Sequence, residues 1–211
     1  MRKFFLIILL LVSLLTGCGQ KVKEASIESK DLVLGKTIFY ENIENIPPSI
    51  ITKFGGQEKI ICKWDENPSE PIISPDKKRV AYITPYEFEV IGEVHIYSTT
   101  NSVKENAIKV ADVPKDFKPM KLFWLNDRYL LIIIGYAYGT TSIGGDLYVY
   151  DTSNKKLSLL ITEGDDQRQV KAVTSKNGDI IIEIAVYNDE FTGYVIEDKV
   201  YKSQSLIDLI K

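Results

Sequence analysis

The chain has 211 residues, of which 26% are charged and 45% hydrophobic, and its formal net charge is −3. This acidic balance argues against a nucleic-acid partner and against a polybasic membrane-binding patch. The single histidine and the two cysteines exclude metal sites that need two histidines and folds held by several disulfides.

The first 17 residues have the three parts of a secretory signal peptide. Arg2 and Lys3 give a positive start, residues 4–15 form an almost unbroken apolar run, and Thr16-Gly17 is a small-residue cleavage site. An apolar run of 12 residues is shorter than the roughly 17 to 25 that a helix needs to span a bilayer. The segment therefore predicts export and cleavage, with a permanent transmembrane anchor as the weaker reading.

Cys18 follows this segment directly. Residues 15–18, Leu-Thr-Gly-Cys, resemble the lipobox of bacterial lipoproteins, in which an aliphatic residue, a small residue and Gly or Ala precede the cysteine. The resemblance implies that Cys18 becomes the mature N-terminus and carries a diacylglyceryl group, so that the lipid bilayer is a partner. Two acyl chains suffice for stable anchoring. The alternative is an ordinary secretory signal whose cleavage site contains a cysteine.

The mature chain is predicted to be one domain on a short tether. Removal of residues 1–17 takes two basic residues and changes the net charge to −5. Residues 18–30 have little apolar content and predict a flexible tether, and residues 31–211 are enough for one sizeable core. An acylated Cys18 has no free thiol, so we expect no disulfide and a buried, unreactive Cys62.

An internal repeat of about fifty residues organises this domain. Each unit has an apolar strand, a polar turn, a second apolar strand, a longer loop and an alternating third strand. The equivalent turn residues Asp76 and Asp127 are 51 positions apart. The first two units continue into a fourth strand, predicted at 107–113 and at 157–162. The pattern predicts an all-β fold of stacked four-stranded antiparallel meanders.

Residues 73–82, Ile-Ser-Pro-Asp-Lys-Lys-Arg-Val-Ala-Tyr, resemble the TolB-type propeller repeat, and residues 145–151 resemble its following strand. The resemblance implies blades that stack on each other. Residues 31–70 offer only an irregular further unit, because Pro47-Pro48 and Gly55-Gly56 interrupt it. The prediction is thus a small or incomplete β-propeller-like domain, with a twisted β-sandwich as the alternative. Residues 203–211 predict a short helix or a final strand.

The loops between the second and third strands of the three units, at 85–90, 135–145 and 187–192, form the richest candidate site. The propeller resemblance implies that they lie on one face. Their aromatic, acidic and hydroxyl side chains suit a glycan, a peptide or a protein edge. The alternative is that half of the rings pack between blades and that the glycines only serve backbone positions of positive φ. The candidate ligand-binding residues are Tyr86, Glu87, Glu89, Tyr136, Tyr138, Thr140, Thr141, Tyr187, Asp189 and Glu190.

The sequence contains no catalytic, metal or cofactor signature. His95 alternates with apolar neighbours, which predicts a histidine on a strand surface or a partly buried, hydrogen-bonded one. The acidic residues at 163–166 and 188–190 lack the alternating spacing of a calcium loop and predict solvated turns.

These features predict a lipid-anchored, extracytoplasmic module that binds an envelope protein or glycan without catalysis. Two alternatives stay open: an envelope hydrolase that uses carboxylates of the same loops, and a structural accessory subunit of an envelope complex. The abundance of Ile and Lys, the size and the repeats resemble uncharacterised lipoproteins of low-GC Gram-positive bacteria. That resemblance implies the outer face of the cell membrane and offers no activity.

Overall fold

The computed structural model describes residues 26–31, 36–43, 46–164 and 167–210. The predicted signal peptide, Cys18 and the first part of the predicted tether lie outside these residues. Four antiparallel sheets, which we call blades 1 to 4, follow one another along the described chain. In every blade each strand pairs with the next one in sequence, so each blade is a meander. The predicted all-β fold of stacked meanders is confirmed.

The blades have the following strands. Blade 1 contains β1 (Ser26–Asp31), β2 (Thr37–Ile43), β3 (Ile46–Phe54) and β4 (Gln57–Cys62). Blade 2 contains β5 (Ile72–Ile73), β6 (Arg79–Thr84), β7 (Glu93–Ser98) and β8 (Lys104–Ile108). Blade 3 contains β9 (Phe117–Trp124), β10 (Tyr129–Tyr136), β11 (Asp146–Asp151) and β12 (Lys156–Ile161). Blade 4 contains β13 (Arg168–Lys176), β14 (Asp179–Tyr187) and β15 (Tyr194–Lys202), and the helix α1 (Ser203–Leu209) follows it.

Blade 1 is a regular four-stranded sheet, although its sequence predicts an irregular unit. Pro47-Pro48 lie within β3 where its pairing with β2 shifts register, and a bulge tolerates residues that cannot donate to the ladder. Gly55-Gly56 form the hairpin turn between β3 and β4, with φ values of 55° and 78° that a two-residue turn requires. The first strand begins at Ser26, within the segment predicted as a tether, because ladder hydrogen bonds need no apolar side chains.

The fourth strand of blade 2 was predicted too late in the chain. The strand is β8 at Lys104–Ile108, and a 3-10 turn at Val110–Asp112 follows it. The backbone N–H of Lys109 donates to the Asp112 carboxylate at 2.8 Å, which fixes the turn where a strand was expected. The polar residues that open β8 obscured it, but charged side chains are usual on an outer strand.

The blades are held together by the apolar faces that they press against each other. Tyr82 and Val80 of blade 2 pack on Ile38 and Ile50 of blade 1. A larger cluster joins blades 2 and 3, and another joins blades 3 and 4 with Leu206 of α1. Burying such faces is the main stabilising contribution, at about 25 cal/mol per Å² of apolar surface.

Cys62 lies in the core between blades 1 and 2 and is fully buried. Burial, together with the nearby Glu66 carboxylate, raises the pKa of the thiol to about 12. The thiol therefore stays protonated at neutral pH and is a poor nucleophile. The predicted burial of Cys62 is confirmed.

The turns that define the repeat contact each other at the side of the blades opposite the long loops. The backbone N–H of Asp76 donates to the carboxylate of Asp127, its equivalent in the next blade, at 2.7 Å. Arg79 extends from the same turn and donates to Thr152 Oγ1 at 2.7 Å and to the backbone oxygen of Asp127.

In the described part of the chain, no helix has the length and apolarity to cross a membrane.

Candidate functional site: the loop face

The long loops of blades 2, 3 and 4 contact each other in series. Glu89 in the blade 2 loop accepts a hydrogen bond at 2.9 Å from the backbone N–H of Gly139 in the blade 3 loop. Tyr187, at the start of the blade 4 loop, donates from its hydroxyl to the backbone oxygen of Thr141 at 2.8 Å. The three loops, residues 85–92, 137–145 and 188–193, thus lie on one side of the molecule, which we call the loop face.

The glycines of residues 135–145 have two different roles. Gly139 has a φ of +80°, as expected for a turn. A Cβ on Gly135 would lie 1.9 Å from the backbone oxygen of Gly144, and one on Gly145 would lie 2.1 Å from that of Ile134. These two positions therefore need glycine because main chains approach each other there, not because of positive φ.

Gly145 is also the backbone link between blades 3 and 4. Its N–H donates to the Val170 oxygen at 3.0 Å, and the Val170 N–H donates back at 2.8 Å. The neighbouring amides of Ile143 and Gly144 donate to Gln169 Oε1 at 3.2 and 3.1 Å. The base of the blade 3 loop is consequently fastened to the first strand of blade 4.

A cleft of about 460 Å³ opens between the blade 3 and blade 4 loops. Its volume is that of a site for a small ligand or one short segment of a polymer. Phe117 and Tyr136 form one wall, with ring centroids 5.9 Å apart in an edge-to-face arrangement, and Phe191 lies on the opposite loop. The polar side chains of the lining are Thr141, Ser142, Asp146, Thr162, Arg168 and Gln169.

A second cleft of about 470 Å³ adjoins the first, and the two share Thr141 and Phe191. It is lined by Thr140 and by the rings of Tyr187 and Tyr194, which lie 5.3 Å apart. Burial is the main reason that the pKa of Tyr187 is raised, so its hydroxyl remains protonated and keeps donating to Thr141. The two clefts therefore lie side by side at the blade 3 loop, and we refer to them together as the groove.

Arg168 lies in the wall of the first cleft and is paired with two carboxylates. Its guanidinium contacts Glu163 at 3.1 Å and Glu197 at 2.7 Å, and Lys199 adds a second cation to Glu163 at 2.7 Å. The side chain of Glu163 is only 5% exposed, so the prediction of a solvated turn was wrong at this residue. A carboxylate that is paired with two cations can be buried where a lone one would cost several kcal/mol. Hydrogen bonding to Arg168 also lowers the pKa of Glu197.

A known family matches the chain over the region that contains this face. The domain of unknown function DUF4652 matches residues 85–202, from the first residue of the blade 2 loop to the end of β15. The chain belongs to the DUF4652 family. The long loops of blades 2 to 4 and both clefts lie within the DUF4652 region, whereas blade 1 precedes it.

Solved structures resemble the DUF4652 protein in fold. A Clostridium novyi NT protein, assigned as a conserved lipoprotein, is 23% identical, with a TM-score of 0.58 over 64% of this chain and 86% of that one. An oligogalacturonate lyase in complex with manganese is 12% identical, with a TM-score of 0.51 over 79% of this chain and 49% of the lyase. TolB from Acinetobacter baumannii is 12% identical, with a TM-score of 0.43 over 84% of this chain and 45% of TolB. The chain spans about half of the lyase and of TolB. No curated protein matches its sequence.

Four of the ten predicted binding residues line the clefts of the DUF4652 region. They are Tyr136, Thr140, Thr141 and Tyr187. Tyr138 lies outside both linings and packs edge-to-face against Tyr136, with ring centroids 5.5 Å apart. Tyr187 is 8% exposed and lines the second cleft only with part of its ring. The other predicted residues, Tyr86, Glu87, Glu89, Asp189 and Glu190, are exposed in the flanking loops outside the two linings.

Sequence reasoning missed the cleft residues that strands contribute. Phe117 opens β9 and Arg168 opens β13, so both begin the first strand of a blade at the loop face. Phe117 is paired in register with Tyr136, which brings it to the cleft. The predicted meander could have identified these residues. In an antiparallel meander the start of the first strand lies beside the end of the second strand, where the long loop begins.

Ionisable groups with catalytic potential are sparse around the clefts. Among the described residues that line them, Asp146 is the single carboxylate. Across the described chain no group of three His, Cys, Asp or Glu side chains is arranged to hold a metal. His95 stacks on Tyr82 within blade 2, and its Nδ1 is buried without a hydrogen bond from the described residues. His95 is therefore partly buried, but among the described residues its Nδ1 lacks the hydrogen bond that we predicted for a partly buried histidine.

Proposed function

We propose that this DUF4652 protein is a membrane-anchored extracytoplasmic lipoprotein whose loop face binds a glycan segment of the cell envelope without catalysis. The observation that carries the binding role is the groove formed by the two clefts. It combines the ring walls of Phe117, Tyr136 and Phe191 with hydroxyl and amide groups from Thr141 and Gln169.

The chemistry of the groove favours a neutral, hydroxyl-rich ligand. A sugar ring has apolar faces that pack on aromatic rings, and its hydroxyl groups exchange hydrogen bonds with short polar side chains. The positive charge of Arg168 is already paired with the carboxylates of Glu163 and Glu197, so this side chain offers little attraction to an anionic ligand. Polar groups at the edge and rings at the wall are the usual composition of a small-ligand site.

The anchor is supported by the position of Cys18 after an apolar run of export type, and by the description of the Clostridium novyi relative as a conserved lipoprotein. Replacement of Cys18 with Ala tests it directly in cells fed a labelled fatty acid. We expect label on the parent chain and none on Cys18→Ala. Equal labelling of the two chains would refute the anchor and leave the groove untouched.

Binding to isolated cell walls tests the role of the groove. The double variant Tyr136→Ala/Phe191→Ala removes a ring from each side of the first cleft. We expect it to bind walls from the producing bacterium at least about tenfold more weakly, because aromatic contacts that become buried on binding dominate such interfaces. Leu159→Ala is the matched control, since Leu159 is an exposed apolar residue on β12, away from the loop face. Unchanged wall binding by the double variant, with retention of a partner protein instead, would favour a protein ligand.

The hydrolase alternative needs a second carboxylate at a fixed distance from Asp146. Glycosidases place two carboxyl groups roughly 5 to 10 Å apart across the cleft. The described lining provides Asp146 alone, so binding without turnover is the proposal. Release of reducing sugars from the walls by the parent chain, lost in Asp146→Asn, would support the hydrolase instead.

A further inference from the structure

Blade 4 differs from the other blades in its outer edge. Blades 1, 2 and 3 each have four strands, and their third strands lie between two neighbours. Blade 4 has three, so β15 occupies the place of a third strand with no described strand beyond it. A strand with a free edge presents a row of unpaired backbone groups that can pair with another chain.

The side chains of β15 are also exposed to a degree that third strands of this protein otherwise avoid. In β7 three of the six residues are buried, and in β11 four of the six. In β15 none is buried, and Val195 and Val200 are 65% and 61% exposed. β-branched residues on a free edge are typical of a strand that is covered by a partner.

From this edge we infer that β15 pairs with β15 of a second copy of the chain, antiparallel and centred on Asp198, to give a continuous six-stranded sheet. The evidence for a second copy is the self-complementarity of Tyr194–Lys202. When the strand is reversed on itself about Asp198, every apolar residue faces an apolar or aromatic one, apart from the terminal residues. The cross-pairs are Tyr194 with Lys202, Val195 with Tyr201, Ile196 with Val200 and Glu197 with Lys199.

Few registers are possible for this pairing. A two-fold axis perpendicular to the sheet must pass through a residue of β15, so the alternative registers are centred on a different residue of the strand. Centring on Glu197 would oppose Ile196 to Asp198. Centring on Lys199 would oppose Ile196 to Lys202 and Val200 to Asp198. All three registers place two like charges on the axis, so the axial pair does not distinguish them. Only the register centred on Asp198 pairs all nine residues of β15 without an opposed apolar and acidic pair.

The pairing also extends a network of charges that already exists in each copy. Glu197 contacts Arg168 at 2.7 Å, and Lys199 contacts Glu163 at 2.7 Å. Both side chains lie on the face of blade 4 that turns toward blade 3, because they pair in register with the buried residues Ile184 and Ile182. Opposing Glu197 to Lys199 of the second copy would join two such networks into one row of alternating charges.

Cysteine cross-linking on the full chain in membranes reads out this register. In an antiparallel pair, opposed Cα atoms lie about 4.5 to 5.5 Å apart, which a disulfide can bridge, whereas residues two positions out of register are more than about 7 Å apart. We expect Asp198→Cys to give a disulfide-linked dimer on mild oxidation. Glu197→Cys and Lys199→Cys should each fail alone and should give the dimer when combined in one chain.

Leu159→Cys, on the outer strand β12, is the matched control for random collision, since Leu159 is 51% exposed. The parent chain controls for its own cysteines, and an unchanged melting temperature shows that each variant is folded. Absence of the dimer with Asp198→Cys, or equal dimer from Asp198→Cys, Glu197→Cys and Leu159→Cys, would overturn the inference. As an independent readout, Asp198→Asn should sediment as dimer at lower concentration than the parent, because it removes the one pair of like charges.

Discussion

The hydroxyl of Tyr187 donates to the backbone oxygen of Thr141 across 2.8 Å, and this contact joins the loops of two successive blades. Tyr187 ends β14, so its ring is fixed by a strand, whereas Thr141 lies in the middle of a long loop. The hydrogen bond therefore transfers the rigidity of blade 4 to the loop that separates the two clefts.

Replacement of Tyr187 with Phe should lower the free energy of unfolding by about 1 kcal/mol, because it removes one hydrogen bond and keeps the ring. Urea denaturation followed by circular dichroism measures the change. Tyr194→Phe is the control, since Tyr194 is exposed and has no described hydrogen bond from its hydroxyl; we expect less than about 0.5 kcal/mol there. Equal effects of the two substitutions would contradict the role of Tyr187.

Replacement of Glu89 with Ala should free the amide of Gly139. The Glu89 carboxylate accepts from this N–H at 2.9 Å and is the link between the blade 2 and blade 3 loops. We expect the amide of Gly139 to exchange its hydrogen faster by severalfold, with little change in global stability, because the contact is exposed. Hydrogen exchange measured by NMR tests this. Glu87→Ala, two residues away, should leave Gly139 unchanged.

Replacement of Gly145 with Ala should destabilise the protein by more than about 2 kcal/mol. The new Cβ would lie 2.1 Å from the Ile134 oxygen and 2.5 Å from the Gly135 Cα, so the main chain of Gly145 must move away from β10. Thermal unfolding measures the loss. Gly193→Ala is the control, because no atom lies within 4 Å of the Cβ it would add. A Gly145→Ala protein as stable as Gly193→Ala would show that the close approach is not required.

His95 should make folding less favourable as the solution becomes more acidic. Its burial lowers the pKa to about 4, and Lys104 adds to the effect, against about 6.5 in an unfolded chain. Between these values the unfolded state binds the proton and the folded state does not, so stability is complete above pH 6.5 and is lost as pH falls toward 4. After allowance for solvent screening, we expect a loss of about 1 to 2 kcal/mol.

His95→Phe provides the comparison for this titration, because Phe keeps a ring against Tyr82 and carries no titrating group. Urea unfolding of both proteins from pH 7 to pH 4 should show a smaller loss of stability in the variant. Identical pH profiles would mean that His95 is not the titrating group responsible.

Much of the fold follows from local pattern in the sequence. The turns at Asp76 and Asp127 recur with the period of the blades, and they contact each other in the structure. The sequence did not predict blade 1 as a regular sheet, because its prolines and glycines usually break strands. In the structure they occupy a bulge and a hairpin. The polar start of β8 was not predicted as strand, because an outer strand shows little alternation of hydrophobic and polar residues.

The candidate site was predictable only where loops contribute to it. Tyr136 and Thr141 lie in the segment whose composition drew attention. Phe117, Arg168 and Gln169 reach the same cleft from strands of two blades, and their placement depends on how the blades stack. The ion pair of Glu163 with Lys199 joins residues 36 positions apart. Such a pair cannot be predicted from a local sequence pattern.

Hydrogen exchange with soluble glycan fragments, released from cell walls of the producing bacterium, tests the central claim that the loop face is one binding surface. The account predicts slower exchange in residues 137–145 and 188–193 together when the fragments are added at saturating concentration. No protection in either loop, or protection confined to the turns around Asp76 and Asp127 on the opposite side, would contradict it.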